Sequence, residues 1–399
     1  MRLFNRMNRI SNPQRPMPPG FGTISSTLPR PSVGRRFSAW STGRAWVWPG
    51  VLGAWAIFLL LVVEVVGQGT LTNGLSHAAT LGSGTTNSHS FTASAGNRLV
   101  LQVAKKSGGA GFTPRMEVLG PDGFSQGLAA HGVAARLDLQ ADLDGTYTVW
   151  VSDQSGVGSG TYDLWLAQVP GAFEVPAGDE GGELANGSVH EGSITVGDLD
   201  LWNFGADAGD RIVVTIGELG GGAGFTPRIE LIGPDGVWLG IDAGGVAARL
   251  DVQVALGGTF TVLVSDTERV GAGTYALRLA RVPGDFEVPA EDEGGVTTDG
   301  VNHDGSITVS DLDLWTFDAE QGDLVTVQVT ELAGGAGFEP LVEVVDQRGN
   351  RRRLGRHASS VALELVGVEA GRVAVRVSDE HASGAGKYVV PEARSRWGT

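Results

Sequence analysis

Residues 108–123 read GGAGFTPRMEVLGPDG, and similar motifs recur as GGAGFTPRIELIGPDG at 221–236 and as GGAGFEPLVEVVDQRG at 334–349. The first two copies match at thirteen of sixteen positions, and both offsets are 113 residues. Solenoid repeats are usually roughly 20–50 residues long, so a unit of this length is large enough to be a domain. We therefore predict three tandem domains. Their boundaries are 68–180, 181–293 and 294–399.

The second copy shows the alternation of apolar and polar residues that is typical of β-strands. Residues 249–254 read RLDVQV, and TFTVLV at 259–264 and TYALRL at 274–279 follow the same period of two. Such a period is typical of antiparallel strands with one buried and one wet face. We predict an all-β fold of three antiparallel β-sandwich domains of the jelly-roll type. Further strands are predicted at 191–196, 201–205, 211–217 and 228–233.

The charge of the chain is divided between its two ends. Residues 1–44 contain eight Arg and no acid, whereas 68–399 contain 21 basic and 44 acidic residues, a net charge of −23. Between them, 45–63 are uncharged and include AWAIFLLLVV at 54–63. About 20 apolar residues span a bilayer as a helix, and a basic flank stays in the cytoplasm. We predict a disordered cytoplasmic tail, one transmembrane helix within 45–67 and an exported acidic body.

The segment 45–67 has two interpretations that the sequence leaves open. It is either an uncleaved signal-anchor, which holds residues 68–399 outside the cytoplasm, or a signal peptide cleaved after Gly67, which gives a secreted protein. The long leader favours the anchor. The net charge of the body argues against nucleic acid as a partner. The chain has no Cys, which excludes disulfide scaffolds, cysteine zinc sites and thiol catalysis.

The segments between copies also repeat. Residues 169–182 recur as 282–295 with few changes, and both are extended, acidic and contain two prolines. We expect stiff connectors that join the domains into a semi-rigid string. Phe173 and Phe286 occupy matched places, which indicates that each connector packs on a neighbouring domain. The third copy ends atypically, because Pro391 falls where a final strand is expected, and we expect this copy to be either frayed or truncated there.

Two acidic motifs are the strongest candidates for a binding site. They read DLDLW at 198–202 and at 311–315. Alternation in a strand places both carboxylates of a motif on one side, where they repel one another unless a cation lies between them. Oxygen ligands without His or Cys suit Ca²⁺, so we predict candidate calcium sites and no other cofactor. The predicted ligands are Asp198, Asp200 and Glu218 in the second copy and Asp311, Asp313 and Glu331 in the third.

The first copy lacks these acids and therefore serves as an internal comparison. The residues that match Asp198, Asp200 and Glu218 there are Thr85, Asn87 and Lys105. Joint loss of several acids is what the loss of a metal site would produce. The alternative is that the acids are ordinary solvated charges, which the first copy lacks because it lies closest to anionic lipid headgroups.

A family resemblance follows from the same residues. The run GDLDLWNFGADAGDRIVVTI at 197–216 resembles the opening of bacterial pre-peptidase C-terminal domains, and GSGTYDLWL and GAGTYALRL resemble their closing strand. The resemblance implies a secreted β-sandwich accessory domain, of which some members bind Ca²⁺ and some aid attachment to insoluble substrates. The chain departs from the family because no peptidase precedes the repeats. The resemblance covers about 190–281 best, then 303–388, and 77–168 more weakly.

Other recurring residues favour structural roles. His77, His190 and His303 recur without a second ligand at metal-binding spacing, and each is expected to make a structural hydrogen bond. Ser152-Asp153 and its copies are expected to cap turns. The GGAG loops lack the helix and Lys of a phosphate-binding loop. We find no catalytic constellation, and we expect the protein not to be an enzyme.

The sequence as a whole predicts a non-enzymatic, exported or membrane-anchored bacterial surface protein. Its domains would act in adhesion, scaffolding or ligand binding, with a glycan, a matrix component or another protein as the partner. The alternative is an accessory subunit that targets a separately encoded peptidase or other hydrolase to its substrate.

Overall fold

The computed structural model describes residues 64–221, 224–290, 292–334, 337–356, 359–366 and 368–396. These residues form strands, turns and loops, so the all-β prediction is confirmed for them. None of the described elements is a helix long and apolar enough to cross a bilayer. The tail 1–44 and the apolar run 45–63 lie outside the described residues.

Matching strands recur about 113 residues apart, and the predicted strands are present with shifted ends. The strands of repeat 1 are β1 Glu64–Thr70, β2 Ser76–Leu81, β3 Thr85–Ala93, β4 Arg98–Lys105, β5 Pro114–Leu119, β6 Ser125–Ala130, β7 Ala134–Gln140, β8 Gly145–Asp153 and β9 Gly160–Val169. The strands of repeat 2 are β10 Gly181–Glu183, β11 Val189–Ile194, β12 Asp200–Ala206, β13 Arg211–Gly221, β14 Pro227–Ile232, β15 Trp238–Ala243, β16 Ala247–Gln253, β17 Gly258–Asp266 and β18 Gly273–Val282. The strands of repeat 3 are β19 Gly294–Val296, β20 Asn302–Ile307, β21 Leu312–Ala319, β22 Asp323–Gly334, β23 Pro340–Val345, β24 Arg351–Gly355, β25 Ser360–Val366, β26 Gly371–Asp379 and β27 Gly386–Arg396.

Each repeat contributes one five-stranded and one four-stranded sheet. In repeat 2 the five-stranded order is β10-β12-β17-β14-β15 and the four-stranded order is β11-β18-β13-β16, and the other repeats follow the same plan. The pairing is antiparallel except at one edge, where β1, β10 and β19 pair in parallel with the next strand of the five-stranded sheet. That parallel edge brings the end of each connector beside the DLDLW strand.

A separate apolar core lies between the two sheets of each repeat. In repeat 2, Trp202 and Phe204 of the five-stranded sheet meet Ile212 and Val214 of the four-stranded sheet, and all four side chains are buried. Burying one such side chain contributes about 1.5–3 kcal/mol. Matching cores fill repeats 1 and 3.

The repeats are also packed on one another, which corrects the prediction of a wet face. Leu199, Leu201 and Leu263 point away from the core of repeat 2, and they are buried against Val100 and Trp165 of repeat 1. A period of two cannot distinguish a face covered by water from one covered by another sheet. Residues 64–396 therefore form a continuous stack of β-layers, closer to a solenoid than to a string of separate sandwiches.

An ion pair recurs at both contacts between repeats. Arg136 of repeat 1 contacts Glu230 of repeat 2 at 2.6 Å, and Arg249 of repeat 2 contacts Glu343 of repeat 3 at 2.7 Å. Both glutamates are almost completely buried. Because donor and acceptor keep the 113-residue offset, both contacts have the same register.

The connectors are held to the repeats as predicted. Phe173 packs into the contact between repeats 1 and 2, and Phe286 into that between repeats 2 and 3. Asn186 adds a polar clamp, because its side chain donates to the carbonyl oxygens of Arg281 at 3.0 Å and Asp285 at 2.8 Å. The predicted boundaries of the domains at 180/181 and 293/294 stay a prediction.

Two predictions concern the ends of described strands. Of the predicted membrane segment 45–67, Glu64–Gly67 belong to β1 and pair with Thr85–Ser88, and the bounds of that segment stay a prediction. The last strand of repeat 3 is neither frayed nor truncated at Pro391, because β27 pairs with β20 up to Pro391 and with β22 as far as Arg396. Its pairing with β22 is interrupted at Val390 and Pro391, which accommodates the missing N–H group of the proline.

Candidate metal centres

A group of three carboxylates lies at the parallel edge of repeat 2. The ligand oxygens of Asp179, Glu180 and Asp200 are within 4.8 Å of one another. Asp179 and Glu180 end the connector, and Asp200 begins β12. The pairing of Gly181 with Leu201 brings these two segments side by side.

The Asp200 carboxylate is buried, and only one of its two oxygens has a hydrogen-bond partner among the described residues. Its Oδ2 accepts a hydrogen bond from the Tyr275 hydroxyl at 2.6 Å, and its Oδ1 has no hydrogen-bond partner among the described residues. Burial raises the pKa of Asp200 to about 9, and the charges of Asp198, Asp179 and Glu180 raise it too, while the Tyr275 hydrogen bond opposes them. Burial and Asp198 likewise raise the pKa of Asp179 to about 6. Without a cation, this group is therefore electrostatically unfavourable when ionised.

Asp198 lies beside this group but does not share the strand of Asp200. Its Oδ2 accepts from the N–H of Thr195 at 3.2 Å and its Oδ1 from the N–H of Leu199 at 3.0 Å, so it closes the turn before β12. The predicted alternation of Asp198 and Asp200 on one strand is therefore wrong. Asp198 contributes negative charge to the site rather than an oxygen of the close group of three.

Repeat 3 holds a second group, formed by Asp292, Asp311 and Asp313. Burial and the charge of Asp311 raise the pKa of Asp313 to about 9, against the hydrogen bond from Tyr388. The ligand oxygens of Asp292, Asp311 and Asp313 lie within 4.8 Å of one another, so their ionised forms repel unless a cation lies between them. Arg278 of repeat 2 reaches Asp311 at 3.3 Å and so partly compensates the charge.

Glu218 and Glu331 belong to neither group. They lie near the ends of β13 and β22, beside the glycine-rich loops. The matching residue of repeat 1, Lys105, donates to the carbonyl oxygens of Gly109 at 2.8 Å and Phe112 at 3.1 Å, and so holds that loop directly. The structure thus places these three positions with the loop rather than with the carboxylate groups.

Repeat 1 fills the same place with neutral side chains. Asn87 donates to the Tyr162 hydroxyl at 3.0 Å, and His89 contacts the same hydroxyl at 2.8 Å. Asn87 stands where Asp200 stands in repeat 2, and Val66 and Gly67 match the connector acids Asp179 and Glu180. Repeat 1 therefore keeps the tyrosine and loses the carboxylates together.

The donor set fits a calcium ion. Each group offers carboxylate oxygens alone, which Ca²⁺ prefers, and Asp200 presents an unpartnered buried oxygen to its group. The sequence analysis missed Asp179, Glu180 and Asp292, because their neighbours come from β-pairing across about 20 residues. The available signal was the acidic pair before each Gly-Gly of the connectors, at 179–180 and 292–293, which repeat 1 lacks.

No protein-family model matches this chain, and no curated protein sequence does. Among solved structures, it is similar to the pre-peptidase C-terminal domain of a Bacillus anthracis collagenase, with 18% identity over 26% of this chain and 95% of that one and a TM-score of 0.21. It is also similar to tandem CBM51 modules of a family 98 glycoside hydrolase from Streptococcus pneumoniae, with 9% identity over 52% and 83% and a TM-score of 0.21.

A third similarity is to the atomic structure of Sulfolobus Turreted Icosahedral Virus, with 8% identity over 80% of this chain and 82% of that one and a TM-score of 0.18. TM-scores this low carry no argument about function. The assignment of a role therefore depends on the geometry of the repeats themselves.

The recurring histidines have structural roles, as predicted. His190 Nε2 accepts a hydrogen bond from the N–H of Ala185 at 3.1 Å, and its ring meets Trp202 edge-on. His303 accepts from the N–H of Thr298 at 3.0 Å. Burial lowers the pKa of His190, which keeps the ring neutral and able to accept.

The Ser-Asp positions also form turns. Asp153 accepts hydrogen bonds from the N–H groups of Thr113 at 2.8 Å and Gly158 at 2.9 Å, which ties two loops to the end of β8. Asp266 and Asp379 bind the matching backbone groups in the other repeats. Since their oxygens are occupied by backbone donors, these carboxylates serve the loops.

Proposed function

We propose that this chain is a non-enzymatic, exported or membrane-anchored bacterial surface protein, in which two bound Ca²⁺ ions stiffen a stack of sandwich-like repeats. The stack would act as a scaffold or adhesion module for a glycan, matrix or protein partner. The observation that supports this most is the unpartnered Oδ1 of buried Asp200 beside the two connector carboxylates. An ion at this place would fasten the connector to the repeat that follows it.

The two sites differ in the positive charge beside them. In repeat 2 the close group of three contains no cationic partner among the described residues, whereas in repeat 3 Arg278 contacts Asp311. A cation already beside a site lowers the attraction for a second one. We therefore expect the repeat 2 site to bind Ca²⁺ more tightly.

The proposed anchor is the apolar run that ends at Val63. Glu64–Gly67 pair with Thr85–Ser88, so cleavage after Gly67 would divide β1. This favours the uncleaved anchor over the cleaved signal peptide.

A calcium titration of Asp200→Asn tests the proposed metal role. The substitution copies the neutral Asn87 of repeat 1, so we expect it to raise the melting temperature in EDTA by removing repulsion. We expect the unsubstituted chain to bind two Ca²⁺ by calorimetry and the variant to bind one. At a hundredfold excess of Ca²⁺ over Kd, each site contributes about 2.7 kcal/mol to stability.

Asp285→Asn is the matched control, because Asp285 is a fully exposed connector acid outside both groups. This variant should keep both sites and the full calcium-induced rise in melting temperature. The calcium role is wrong if the unsubstituted chain gains no stability from Ca²⁺, or if Asp200→Asn gains as much as it does.

A further inference from the structure

The first five-stranded sheet has an outer face that no described residue covers. In repeats 2 and 3 the matching face is buried under the four-stranded sheet of the preceding repeat. In repeat 1 the face begins the stack, so its side chains, apart from the buried Thr86, are partly or fully open to solvent or to a partner. We call it the end face, defined by the outward residues of β3, β8, β5 and β6.

The side chains of the end face differ from those of its covered counterparts in a specific way. Leu199, Leu201 and Leu263 of repeat 2 correspond to Thr86, Ser88 and Trp150. Two leucines have become small hydroxyl residues, as expected for a face in water. The third has become a larger aromatic residue, which solvation alone does not explain.

The register places one continuous row across this face. Ser88 pairs with Trp150, Trp150 with Glu117, and Glu117 with Leu128, so the four side chains lie side by side. Trp150 is 37% exposed and Leu128 is 49% exposed. An indole in the middle of a flat sheet thus has hydroxyl and carboxylate groups beside it.

The end face carries no net charge, although residues 68–399 carry −23. Its two charged side chains, Arg115 and Glu117, pair with each other at 2.9 Å. The remaining outward side chains are neutral. Such a face complements an uncharged partner rather than a basic or acidic one.

Head-to-tail stacking of a second copy would not reproduce the contact between repeats at the end face. The opposite end of the stack is the four-stranded sheet of repeat 3, which presents Thr326, Gln328 and Thr330 on β22. The strand that makes this contact in repeat 1 presents Val100 and Ala104 instead. Stacking of one molecule on another would therefore bury polar groups without the apolar contacts that hold repeats together.

We propose that the end face binds a neutral polysaccharide through Trp150. The apolar C–H face of a sugar ring packs on the indole, and the sugar hydroxyls bond to Glu117, Arg115 and Ser88. Side chains with an apolar plane next to fixed polar groups suit such a ligand. The inference names a ligand for the proposed binding role, and it uses none of the residues of the carboxylate groups.

Affinity electrophoresis of the full chain tests this, in gels containing mixed-linkage β-glucan, galactomannan or dextran. We expect retardation by at least one polysaccharide. We expect Trp150→Ala to lower the affinity about tenfold, as loss of an aromatic stacking contact does, and Trp150→Phe to keep most of it. Leu332→Ala, which removes an exposed apolar side chain in repeat 3, should leave it unchanged.

Three outcomes overturn the proposal. They are no retardation in any of the gels, equal retardation of Trp150→Ala, and a dimer in sedimentation velocity that Trp150→Ala dissociates, which would assign the face to a second copy. Calcium binding by Trp150→Ala should be unchanged. The calorimetry therefore separates failure here from failure of the proposed calcium scaffold.

Discussion

At the scale of single residues, two kinds of buried aspartate differ in what surrounds the carboxylate. Asp153 and its counterparts Asp266 and Asp379 are surrounded by backbone N–H donors, which hold a negative charge well inside a protein. Asp200 and Asp313 have one hydroxyl donor each and face other carboxylates. In their ionised form, the carboxylates of the first kind stabilise the fold without a cation. Those of the second kind need a bound cation to do so.

Asp153 gives a prediction about acid stability. Although burial opposes it, the hydrogen bonds from the Ser155 hydroxyl and from the N–H groups of Thr113, Gly158 and Val157 hold its pKa at about 2. Because the folded pKa lies below the ordinary value, this contribution is present above about pH 4 and is lost as the pH falls towards 2. Asp153→Asn should lower stability by about 2 kcal/mol at pH 7.

Thermal unfolding from pH 2 to pH 7 measures this effect. The difference between the unsubstituted chain and Asp153→Asn should shrink as the pH falls through the interval from 4 to 2. Asp142→Asn, at an exposed position, serves as the control and should follow the unsubstituted chain. A difference that is constant over the whole range would contradict the assigned pKa.

At the scale of elements, the contacts between sheets depend on which way each strand residue points. Glu230 of β14 faces outward, yet it is fully buried because β7 of repeat 1 covers it. Its Oε1 forms ion pairs with Nη2 of Arg136 at 2.6 Å and with Nε of Arg228 at 3.0 Å. A buried carboxylate with two cationic partners is strongly sensitive to the loss of either one.

Arg136→Met should therefore destabilise the stack by about 3 kcal/mol, since it leaves Glu230 buried with one partner. Urea unfolding measures the change. Arg115→Met is the matched control, because Arg115 pairs with Glu117 on the uncovered face of repeat 1, and it should cost about 0.5 kcal/mol. Equal losses in the two variants would mean that the ion pair between repeats contributes no more than a surface pair.

The strands and the connectors of this fold were predictable from the sequence, and the burial of the outward leucines was not. Period-two alternation places Leu201 and Trp202 on opposite faces, and that is observed. The alternation does not reveal that a second sheet covers Leu201, because the contact is made by residues about 100 positions earlier. The proximity of Asp179 to Asp200 was not predicted for a similar reason. It follows from the parallel pairing of two segments at the edge of a sheet, and neither segment carries a sequence pattern that reveals this pairing.

At the scale of the whole described chain, the stack begins with an edge strand. β1 is an edge strand with mostly exposed side chains, and it is held by its parallel pairing with β3. The residues Glu64–Gly67 make up the first half of that pairing. The stability of repeat 1 therefore depends on Glu64–Gly67, which cleavage after Gly67 would remove.

Two truncated forms test this dependence. A chain that starts at Gln68 should unfold about 2 kcal/mol more easily than one that starts at Glu64, because hydrogen bonds of about 1 kcal/mol each are lost from β1. Hydrogen exchange at β3 should rise in the shorter form and stay unchanged at β21, which lies in repeat 3. Equal stability of both forms would show that β1 contributes nothing before Gln68.

The recurrence of the Arg–Glu contact makes repeat 2 an interchangeable middle unit. It carries the acceptor Glu230 on one face and the donor Arg249 on the other, whereas repeat 3 has Ala362 at the donor position. Further copies of repeat 2 could be inserted in frame, and each would find a matching neighbour on both sides. The length of such a stack would be set by the number of copies of repeat 2. The exposed faces of repeats 1 and 3 at its two ends would stay the same.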